Sequence, residues 1–322
     1  MSAVLVTGGA GYVGSMLVQE LLRRGESVRV LDSLLHEDGR SLLGCFGDSR
    51  FEFVRGDVRD ADAVARALDG VGAVVHLAAI VGDPACSREP DEAREVNLTA
   101  THNLLEAAER SGVGRFVFAS TCSNYGKLNG SAYATEEFEL RPVSLYAETK
   151  VAAELEILGR SRPDFQTVCL RLATVYGASS RMRFDLTVNE FTRDVVLGRP
   201  LVVYGEQFWR PYVHVRDAAL AIADVLEADA SLVAGEVFNV GDTGENYRKA
   251  DLVEFLRERY PELQVEFVPK DEDPRDYRVS FDKIKARLGF AVSSTVPGGI
   301  DEVAEVLRSG AIANPDAQIY RN

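Results

Sequence analysis

Hydrophobic and polar positions follow two alternating patterns through the first half of the chain. Short, continuously apolar runs are separated by longer segments in which apolar residues recur at helical spacing. The first pattern predicts strands at 3–7, 27–32, 51–57, 72–79, 114–120 and 166–177, and the second predicts helices at 12–25, 60–69, 91–111 and 145–161. Strands that are apolar on both faces and alternate with helices are typical of a doubly wound parallel sheet. The sequence therefore predicts an α/β fold.

The alternation becomes less regular after about Gly177. Further helices are predicted at 184–197, 215–228, 249–260, 281–288 and 298–308, further strands at 200–205 and 235–241, and a tail over the last dozen residues. No repeat or low-complexity linker separates the two parts. We predict a first domain over 1–177, with returns of the chain near 212–241, and a smaller C-terminal α/β domain over 178–322. A ligand cleft is expected at their junction.

Charge and cysteine usage restrict the class of partner. The 322 residues carry a formal net charge of −14, which is unfavourable for binding nucleic acid or an anionic membrane, so neither partner is expected. The longest apolar stretch, 73–81, is too short to span a bilayer, and no signal-peptide pattern opens the chain. Four cysteines without paired spacing argue against a zinc site or a disulfide framework and favour the cytoplasm.

A glycine-rich turn, "TGGAGYVG" at 7–14, follows the first predicted strand and opens the first predicted helix. Glycines in the GxxGxxG spacing let the backbone turn tightly and approach a pyrophosphate, which would lie at the helix N-terminus. The turn predicts a dinucleotide site, with cofactor-binding residues Gly8, Gly11, Tyr12, Val13 and Gly14.

Three further residues extend this site towards the adenosine. Asp32 ends the second predicted strand, where a carboxylate accepts hydrogen bonds from ribose hydroxyls and repels a 2′-phosphate. Asp57 and Val58 follow the third strand, where they could reach the adenine amino group and pack beside the ring. Asp32 favours NAD over NADP as the cofactor.

Candidate acid–base chemistry lies in "YAETK". Tyr146 and Lys150 are four residues apart in a predicted helix, so their side chains share one face. An ammonium group near the phenol is expected to lower the pKa of Tyr146 towards the working pH. Such a pair is common on surface helices, but here it follows both a dinucleotide turn and the segment "ASTCSNYG" at 119–126.

Taken together, these segments resemble the extended short-chain dehydrogenase/reductases, in particular the NAD-dependent nucleotide-sugar epimerases and dehydratases. The similarity covers nearly the whole chain, in the segments "TGGAGYVG", "GDVRD", "HLAA", "VNLTATHNLLEAA", "STCSNYG", "YAETK", "RLATVYG", "RPYVHVRDAA" and "DPRDYRVSFDKIKARLGF". The first-half motifs are specific for the superfamily. Those of the second half are specific for the extended branch and do not identify the sugar.

The resemblance implies roles for individual residues. Thr121 would hydrogen-bond the reacting sugar hydroxyl, Tyr146 would take its proton as a hydride leaves for NAD, and Lys150 would bind the nicotinamide ribose. Cofactor contacts along the backbone and a structural asparagine are implied at Leu77, Ala78, Ala79 and Asn97.

Two positions after Thr121 depart from one branch of the family. Similar 4,6-dehydratases carry Asp-Glu where this chain has Cys122 and Ser123, so simple dehydration is disfavoured. Similar 4-epimerases carry small or hydroxyl residues at these two positions. Similar 3,5-epimerases use a cysteine near this point as an acid or base. Cys122 and Ser123 are therefore candidate catalytic residues, with packing as the alternative for Cys122 and for Cys86.

Substrate contacts are implied further along the chain. Arg210 and Arg275 match arginines that bind the phosphates of a nucleotide-diphosphate sugar, a role suited to the guanidinium fork. Asn189 lies where the family's substrate helix begins, and Thr174 stands where an asparagine is usual.

The sequence thus predicts an NAD-dependent nucleotide-sugar epimerase acting at C4. A 4,6-dehydratase, a keto-sugar reductase and a Cys-assisted 3/5-epimerase remain alternatives. A non-enzymatic NAD-sensing protein is disfavoured because Thr121, Tyr146 and Lys150 are all present. The resemblance also implies a homodimer formed through two helices of the first domain.

Overall fold

Seven parallel strands form the main sheet of the protein in a computed structural model that describes residues 2–36, 38–128, 132–270 and 275–322. The strands are β1 (Ala3–Thr7), β2 (Val28–Asp32), β3 (Phe51–Arg55), β4 (Val71–His76), β5 (Arg115–Thr121), β6 (Gln166–Leu172) and β10 (Glu236–Val240). Their order across the sheet is β3, β2, β1, β4, β5, β6, β10. The predicted doubly wound parallel sheet is therefore confirmed.

Helices cover both faces of this sheet. They are α1 (Tyr12–Arg23) and α8 (Val215–Glu227) on one side and α2 (Ala61–Leu68), α5 (Thr101–Arg110) and α6 (Leu145–Gly159) on the other. Successive residues of β1 illustrate the reason: Val4 and Val6 pack in the first apolar cluster, whereas Leu5 packs in the second. Because side chains alternate between faces, a strand covered on both sides must be apolar at every position.

The helix predicted over 91–111 is interrupted. The chain forms α3 (Asp83–Arg88), α4 (Pro90–Arg94), a π-helical segment (Glu95–Ala100) and then α5. Pro90 stands at the first position of α4, where its missing N–H is tolerated and a new helix begins. The π-helical segment contains Asn97, whose Oδ1 accepts a hydrogen bond from the Ile80 amide at 2.9 Å.

The strand predicted over 166–177 divides between two sheets. After β6, Ala173 donates its amide to the Val240 carbonyl, and the chain leaves the main sheet as β7 (Thr174–Tyr176). This strand pairs in parallel with β9 (Trp209–His214), which pairs antiparallel with β11 (Asn246–Arg248). The break lies inside one apolar run, so hydrophobicity alone did not reveal it.

The remaining elements follow β6 along the chain. A two-stranded parallel sheet pairs β8 (Leu201–Tyr204) with β12 (Val265–Val268). The remaining helices are α7 (Thr187–Val196), α9 (Ala230–Val233), α10 (Lys249–Arg259), α11 (Asp282–Leu288) and α12 (Val296–Arg308). The predicted tail is docked, because the Tyr320 ring stacks edge-on against Phe184 at 5.6 Å. Within the described ranges, no helix is both long and apolar enough to cross a membrane.

Candidate active site

The glycine turn between β1 and α1 forms a cradle that side chains would fill. Gly8 has a φ of +71°, and a Cβ there would lie 2.8 Å from the Ala78 amide nitrogen. A Cβ on Gly14 would lie 2.2 Å from the Gly8 carbonyl oxygen. Gly11 caps α1 without a side-chain hydrogen bond, which leaves the first amides of the helix available to an anion. This geometry fits the pyrophosphate of a dinucleotide.

The loop after β4 lies directly against this turn. Leu77 donates its amide to the Thr7 carbonyl oxygen at 3.1 Å, and the Ala78 amide lies 3.3 Å from Thr7 Oγ1. The structure thus brings Gly8 and the predicted stretch Leu77–Ala79 together, although they are far apart in sequence.

Asp32 lies at the end of β2, beside the glycine turn. Its carboxylate accepts hydrogen bonds from the amides of Ala10, at 2.9 Å, and Leu34, at 2.8 Å. Burial raises the pKa of Asp32, while the two amides oppose that shift. Each carboxylate oxygen keeps lone pairs for further hydrogen bonds, so a ribose diol fits here.

Asp57 and Val58 lie beyond β3 in different environments. The Asp57 carboxylate is paired with Arg59 at 2.7 Å, and that hydrogen bond lowers the pKa of Asp57. Val58 is buried in the same apolar cluster as Leu31. In this structure both side chains contact protein groups.

Tyr12 and Asn189 bond to each other rather than to the cleft. The Tyr12 hydroxyl donates to the Gly177 carbonyl at 2.6 Å and accepts from Asn189 Nδ2 at 3.1 Å. Asn189 is fully buried, and its Oδ1 accepts the Gly177 amide at 2.9 Å. Asn189 thus joins Tyr12 to Gly177, and its role as a substrate ligand stays a prediction. Any cofactor contact by Tyr12 would come from its backbone.

Lys150 is held beneath the end of β5. Its side chain is only 4% exposed; Nζ donates to the Ala119 carbonyl at 3.0 Å and lies 4.6 Å from the centre of the Phe118 ring. Burial lowers the pKa of Lys150 from 10.5 to about 8.

Tyr146 lies one turn earlier on α6 and is half-buried. Burial raises the pKa of its phenol above the ordinary value of 10, and the neighbouring Cys86 acts in the same direction. The predicted lowering by Lys150 is therefore wrong for the protein alone. The phenol is therefore neutral at neutral pH in the protein alone, although the charge of Arg183 favours the phenolate.

The Lys150 pKa predicts a pH-dependent contribution to stability. Between pH 8 and 10.5 the unfolded chain holds this proton and the folded chain releases it, so folding becomes more favourable as the pH rises. The free energy of unfolding of wild type minus that of Lys150→Met should increase by roughly 3 kcal/mol across this window. Urea unfolding of both proteins at several pH values measures it. A difference that does not change with pH would contradict the buried ammonium.

In the segment after β5, Cys122 lies in a different environment from Thr121 and Ser123. Thr121 Oγ1 accepts the Ser123 amide at 3.1 Å, and Ser123 Oγ lies 3.4 Å from the hydroxyl of Tyr277. Cys122 is 1% exposed, its thiol lies 3.2 Å from the Arg171 carbonyl, and burial raises its pKa well above the ordinary range. This environment favours packing, the alternative given above, over a chemical role for Cys122.

Removal of the Cys122 thiol is expected to leave turnover within a few-fold of wild type. The Cys122→Ala variant loses a small buried side chain, which should lower the free energy of unfolding by roughly 1 kcal/mol. Steady-state rates together with urea unfolding test this expectation. A large fall in rate with the fold intact would restore a chemical role to the sulfur.

Cys86 is also buried near the site. Its thiol donates to the Ile80 carbonyl at 3.4 Å, and burial raises its pKa to about 11. The thiol is therefore protonated at neutral pH, which fits packing better than proton transfer.

A buried ionic network behind Thr121 was not found from the sequence. Glu154, one turn beyond Lys150 on α6, forms an ion pair with Arg171 of β6, and both side chains are almost completely buried. The Ser120 hydroxyl donates to Glu154 at 2.6 Å. The network thus joins the helix that carries Tyr146 to the end of β5. In the sequence, this network is indicated only by one charged residue within each of two apolar segments, the helix α6 and the strand β6.

The predicted phosphate-binding arginines lie around Tyr277. The Arg210 guanidinium carbon is 5.7 Å from the centre of the Tyr277 ring, and both Arg210 and Arg275 favour the charged form of its hydroxyl. Arg275 also bonds Asp83 at 3.0 Å, across the cleft on α3. Thr174 is half-buried at the start of β7. The Asp83 contact had no signal in the sequence.

The chain is similar to known proteins over most of its length. A model of the NAD dependent epimerase/dehydratase family matches residues 4–241. A dTDP-glucose 4,6-dehydratase from Streptomyces niveus is 34% identical, over 95% of this chain and 92% of its own length. The structure of a UDP-glucose 4-epimerase from Thermus thermophilus in complex with NAD is 31% identical, with a TM-score of 0.82 over 95% of this chain and 99% of that one.

A second solved structure is similar to the same extent. DesIV, a dTDP-glucose 4,6-dehydratase from Streptomyces venezuelae with NAD and TDP bound, is 31% identical, with a TM-score of 0.85 over 96% of this chain and 98% of that one. The resemblance inferred from the motifs is thereby confirmed. With its glycine turn, seven-stranded parallel sheet and Tyr146–Lys150 helix, the chain belongs to the NAD-dependent epimerase/dehydratase family.

Proposed function

We propose that this protein is an NAD-dependent nucleotide-sugar epimerase that acts at C4. The observation that carries the proposal is the arrangement of the segment that follows β5. There Ser123 presents a hydroxyl, and Cys122 is turned into the core. The first step, oxidation of a sugar hydroxyl, requires Thr121, Tyr146 and Lys150. A 4,6-dehydration would need an additional carboxylic acid and base.

NAD would be held by the groups already described. The amides of the glycine turn would face the pyrophosphate, Asp32 would accept the adenosine ribose hydroxyls, and Lys150 would donate to the nicotinamide ribose. Bound NAD would supply a hydride acceptor and donor for the sugar and, in its oxidised form, a positive charge that favours the phenolate of Tyr146 in addition to that of Arg183.

The protein's own side chains would transfer the proton. Tyr146, once ionised to the phenolate, would take the proton of the C4 hydroxyl as the C–H bond breaks, and Thr121 would hydrogen-bond the same oxygen and fix its direction. After the keto sugar turns over, Tyr146 would return the proton to the opposite configuration. Arg210 and Arg275 would hold the diphosphate, with Thr174 as a further contact, so that only the sugar moves.

A 4,6-dehydratase is the second candidate, because one such enzyme is 34% identical to this chain. Among the described residues, Asp83 is a carboxylate near this chemistry, since its charge acts on the Tyr146 phenol. Its two oxygens accept hydrogen bonds from Ser144, at 2.6 Å, and Arg275, at 3.0 Å. Since Asp83 is engaged in this way, epimerisation is the better supported reaction. The buried thiols likewise disfavour a Cys-assisted 3/5-epimerase, and Asp32 disfavours an NADPH-dependent keto-sugar reductase.

One experiment separates these reactions. The protein is incubated with UDP-, dTDP-, GDP- and CDP-sugars in deuterated water, and the products are followed by NMR. Epimerisation at C4 by hydride return gives the C4 epimer without deuterium. Deuterium at C5 with loss of the C6 hydroxyl would establish a dehydratase, and deuterium at C3 or C5 of an intact sugar would establish enolisation. Absence of any product with every base would contradict the proposal.

Assembly and location complete the proposal. We infer a homodimer formed through α5 and α6, as the family resemblance implies, and expect Leu155 of α6, which is 62% exposed, to lie at that interface. Sedimentation equilibrium of wild type and Leu155→Asp tests it, with a monomeric wild type as the contradicting result.

A cytoplasmic location is supported by four free cysteines.

A further inference from the structure

An irregular segment connects β7 to α7 and is nevertheless buried. Residues 178–185, here named the strap, form neither helix nor strand. Four consecutive side chains of the strap are at most 9% exposed: Arg181, Met182, Arg183 and Phe184. A buried segment without regular structure has no hydrogen-bond ladder of its own, so its backbone and side chains depend on partners elsewhere. The position of the strap is therefore set by the elements that it contacts.

The first half of the strap is anchored on α1, the helix that follows the glycine turn. Ser179 Oγ donates to the Tyr12 carbonyl at 2.7 Å, and the hydroxyl oxygens of Ser179 and Ser15 are 3.1 Å apart. Gln19 Nε2 donates to Ser180 Oγ at 2.7 Å. The strap therefore lies against the helix whose first amides would face the pyrophosphate of NAD.

The two arginines of the strap lie near both ends of the proposed cofactor site. The charge of Arg181 acts on the Asp32 carboxylate, which is proposed to bind the adenosine ribose. The charge of Arg183 acts on the phenol of Tyr146, at the reacting end. Both arginines also act on His36, which is half-buried in the loop after β2. A segment this close to both ends borders the cleft along its length.

A second segment, residues 318–322, packs against the strap and is here named the latch. The Tyr320 ring stacks edge-on against Phe184 at 5.6 Å, and the Tyr320 carbonyl accepts the Phe184 amide at 2.9 Å. Phe184 is fully buried in a small apolar cluster with Met182 and Val303 of α12. Tyr320 is only half-buried, so its ring can be removed without opening this cluster.

Hydrogen bonds of the latch backbone extend this contact. The Arg321 carbonyl accepts from Arg181 Nη2 at 3.0 Å, and the Asn322 amide donates to the Asp185 carboxylate at 3.2 Å. The Asn322 main-chain oxygen also accepts from Arg88 Nη2 of α3 at 3.2 Å. The strap is thus held by α1 at its beginning and by the latch at its end.

We propose that the strap closes over bound NAD and that the latch must detach before NAD can exchange. The strap borders the cleft from Asp32 to Tyr146, so a dinucleotide held between these residues leaves only when the strap moves. Because the strap has no ladder of its own, its contacts with the latch oppose that movement. The inference goes beyond the proposed function, since it concerns the family's cofactor and is independent of the sugar and of the reaction.

Exchange of bound NAD for free NAD tests the inference. Protein loaded with unlabelled NAD is mixed with isotopically labelled NAD, and the label that stays with the protein after rapid gel filtration gives the exchange rate. Tyr320→Ala removes the aromatic contact between latch and strap. Exchange should become about tenfold faster, because loss of such a contact shifts the strap towards its open position by about that factor.

Two further variants complete the design. Ser179→Ala removes the anchor on α1 and should accelerate exchange about fivefold, as expected for one hydrogen bond. In the double variant Ser179→Ala/Tyr320→Ala the two factors should multiply, since the anchors share no partner. Tyr260→Ala is the matched control, because it removes another half-buried tyrosine, one that is bonded by Arg308 and not by the strap. Its exchange rate should equal that of wild type.

The results distinguish this inference from the proposed function. If Tyr320→Ala exchanges NAD as slowly as wild type, or if Tyr260→Ala accelerates exchange equally, the latch does not control the cofactor and the inference is wrong. Exchange is measured independently of turnover. A protein that converts no nucleotide sugar but exchanges NAD faster in Tyr320→Ala would contradict the epimerase proposal and support the latch. Conversion with unchanged exchange in this variant would do the opposite.

Discussion

Tyr146→Phe is expected to lower turnover at least about a hundredfold while NAD remains bound, because only the group that transfers the proton is lost. The phenylalanine ring keeps the volume of the half-buried side chain. Lys150 is held independently by the Ala119 carbonyl, so the proposed ribose contact should survive. Steady-state conversion of the nucleotide sugar measures the rate, and NAD released on denaturation measures cofactor content.

Two comparisons make this result specific. Thr121→Val should also lower turnover, since it removes the second group proposed to bond the reacting oxygen, while Tyr176→Phe should leave it near wild type. Thermal unfolding of each variant establishes that the fold is intact. Near-normal turnover in Tyr146→Phe would show that another group takes the proton, and loss of NAD would show that Tyr146 acts through the cofactor site.

Glu154→Leu is expected to lower the free energy of unfolding by about 3–5 kcal/mol, because it leaves the Arg171 guanidinium buried without its counter-charge. Arg171 keeps hydrogen bonds to the Tyr125 hydroxyl, at 2.8 Å, and to the Glu136 carbonyl, at 3.0 Å, but neither acceptor is charged. Ser120 also loses its acceptor, next to Thr121. Urea unfolding of the NAD-free protein measures the change.

The double variant Glu154→Leu/Arg171→Met is the control for this effect. When both charges are replaced by apolar groups of similar size, a buried ion pair is often dispensable for stability, so the double variant should recover most of the loss. A cost below about 1 kcal/mol for Glu154→Leu would mean that water or another carboxylate reaches Arg171. A double variant as unstable as the single one would show that the network contributes through its hydrogen bonds.

Local patterns predicted the elements of the first domain because each strand and helix is determined by its own periodicity. Asp60 illustrates this, since its side chain caps α2 at the start of the predicted helical segment. The glycine turn was likewise readable, because Gly8 and Gly14 allow backbone geometry that other residues would obstruct. Boundaries were less certain where one apolar run serves two sheets, as at Ala173.

The environments of the site residues depend on contacts between distant segments, which no local sequence pattern contains. Neighbouring residues Cys122 and Ser123 have opposite environments, and only the packing of the segment after β5 assigns one to the core and the other to Tyr277. The same applies to Asn189, whose amide is used by Tyr12 and Gly177. Spacing on a helix predicted that Tyr146 and Lys150 share a face, but burial decided the direction of both pKa shifts.

By itself, the sequence determined the α/β class, the dinucleotide turn and the Tyr146–Lys150 helix, because these depend on residue spacing within single elements. The tertiary structure decided which side chains meet across the cleft, as Arg275 meets Asp83 and Tyr277 meets Ser123. It also decided which titratable groups are desolvated, and therefore which of them are protonated at neutral pH. Desolvation and long-range contact arise only when distant segments pack together, so they leave no periodic trace along the chain.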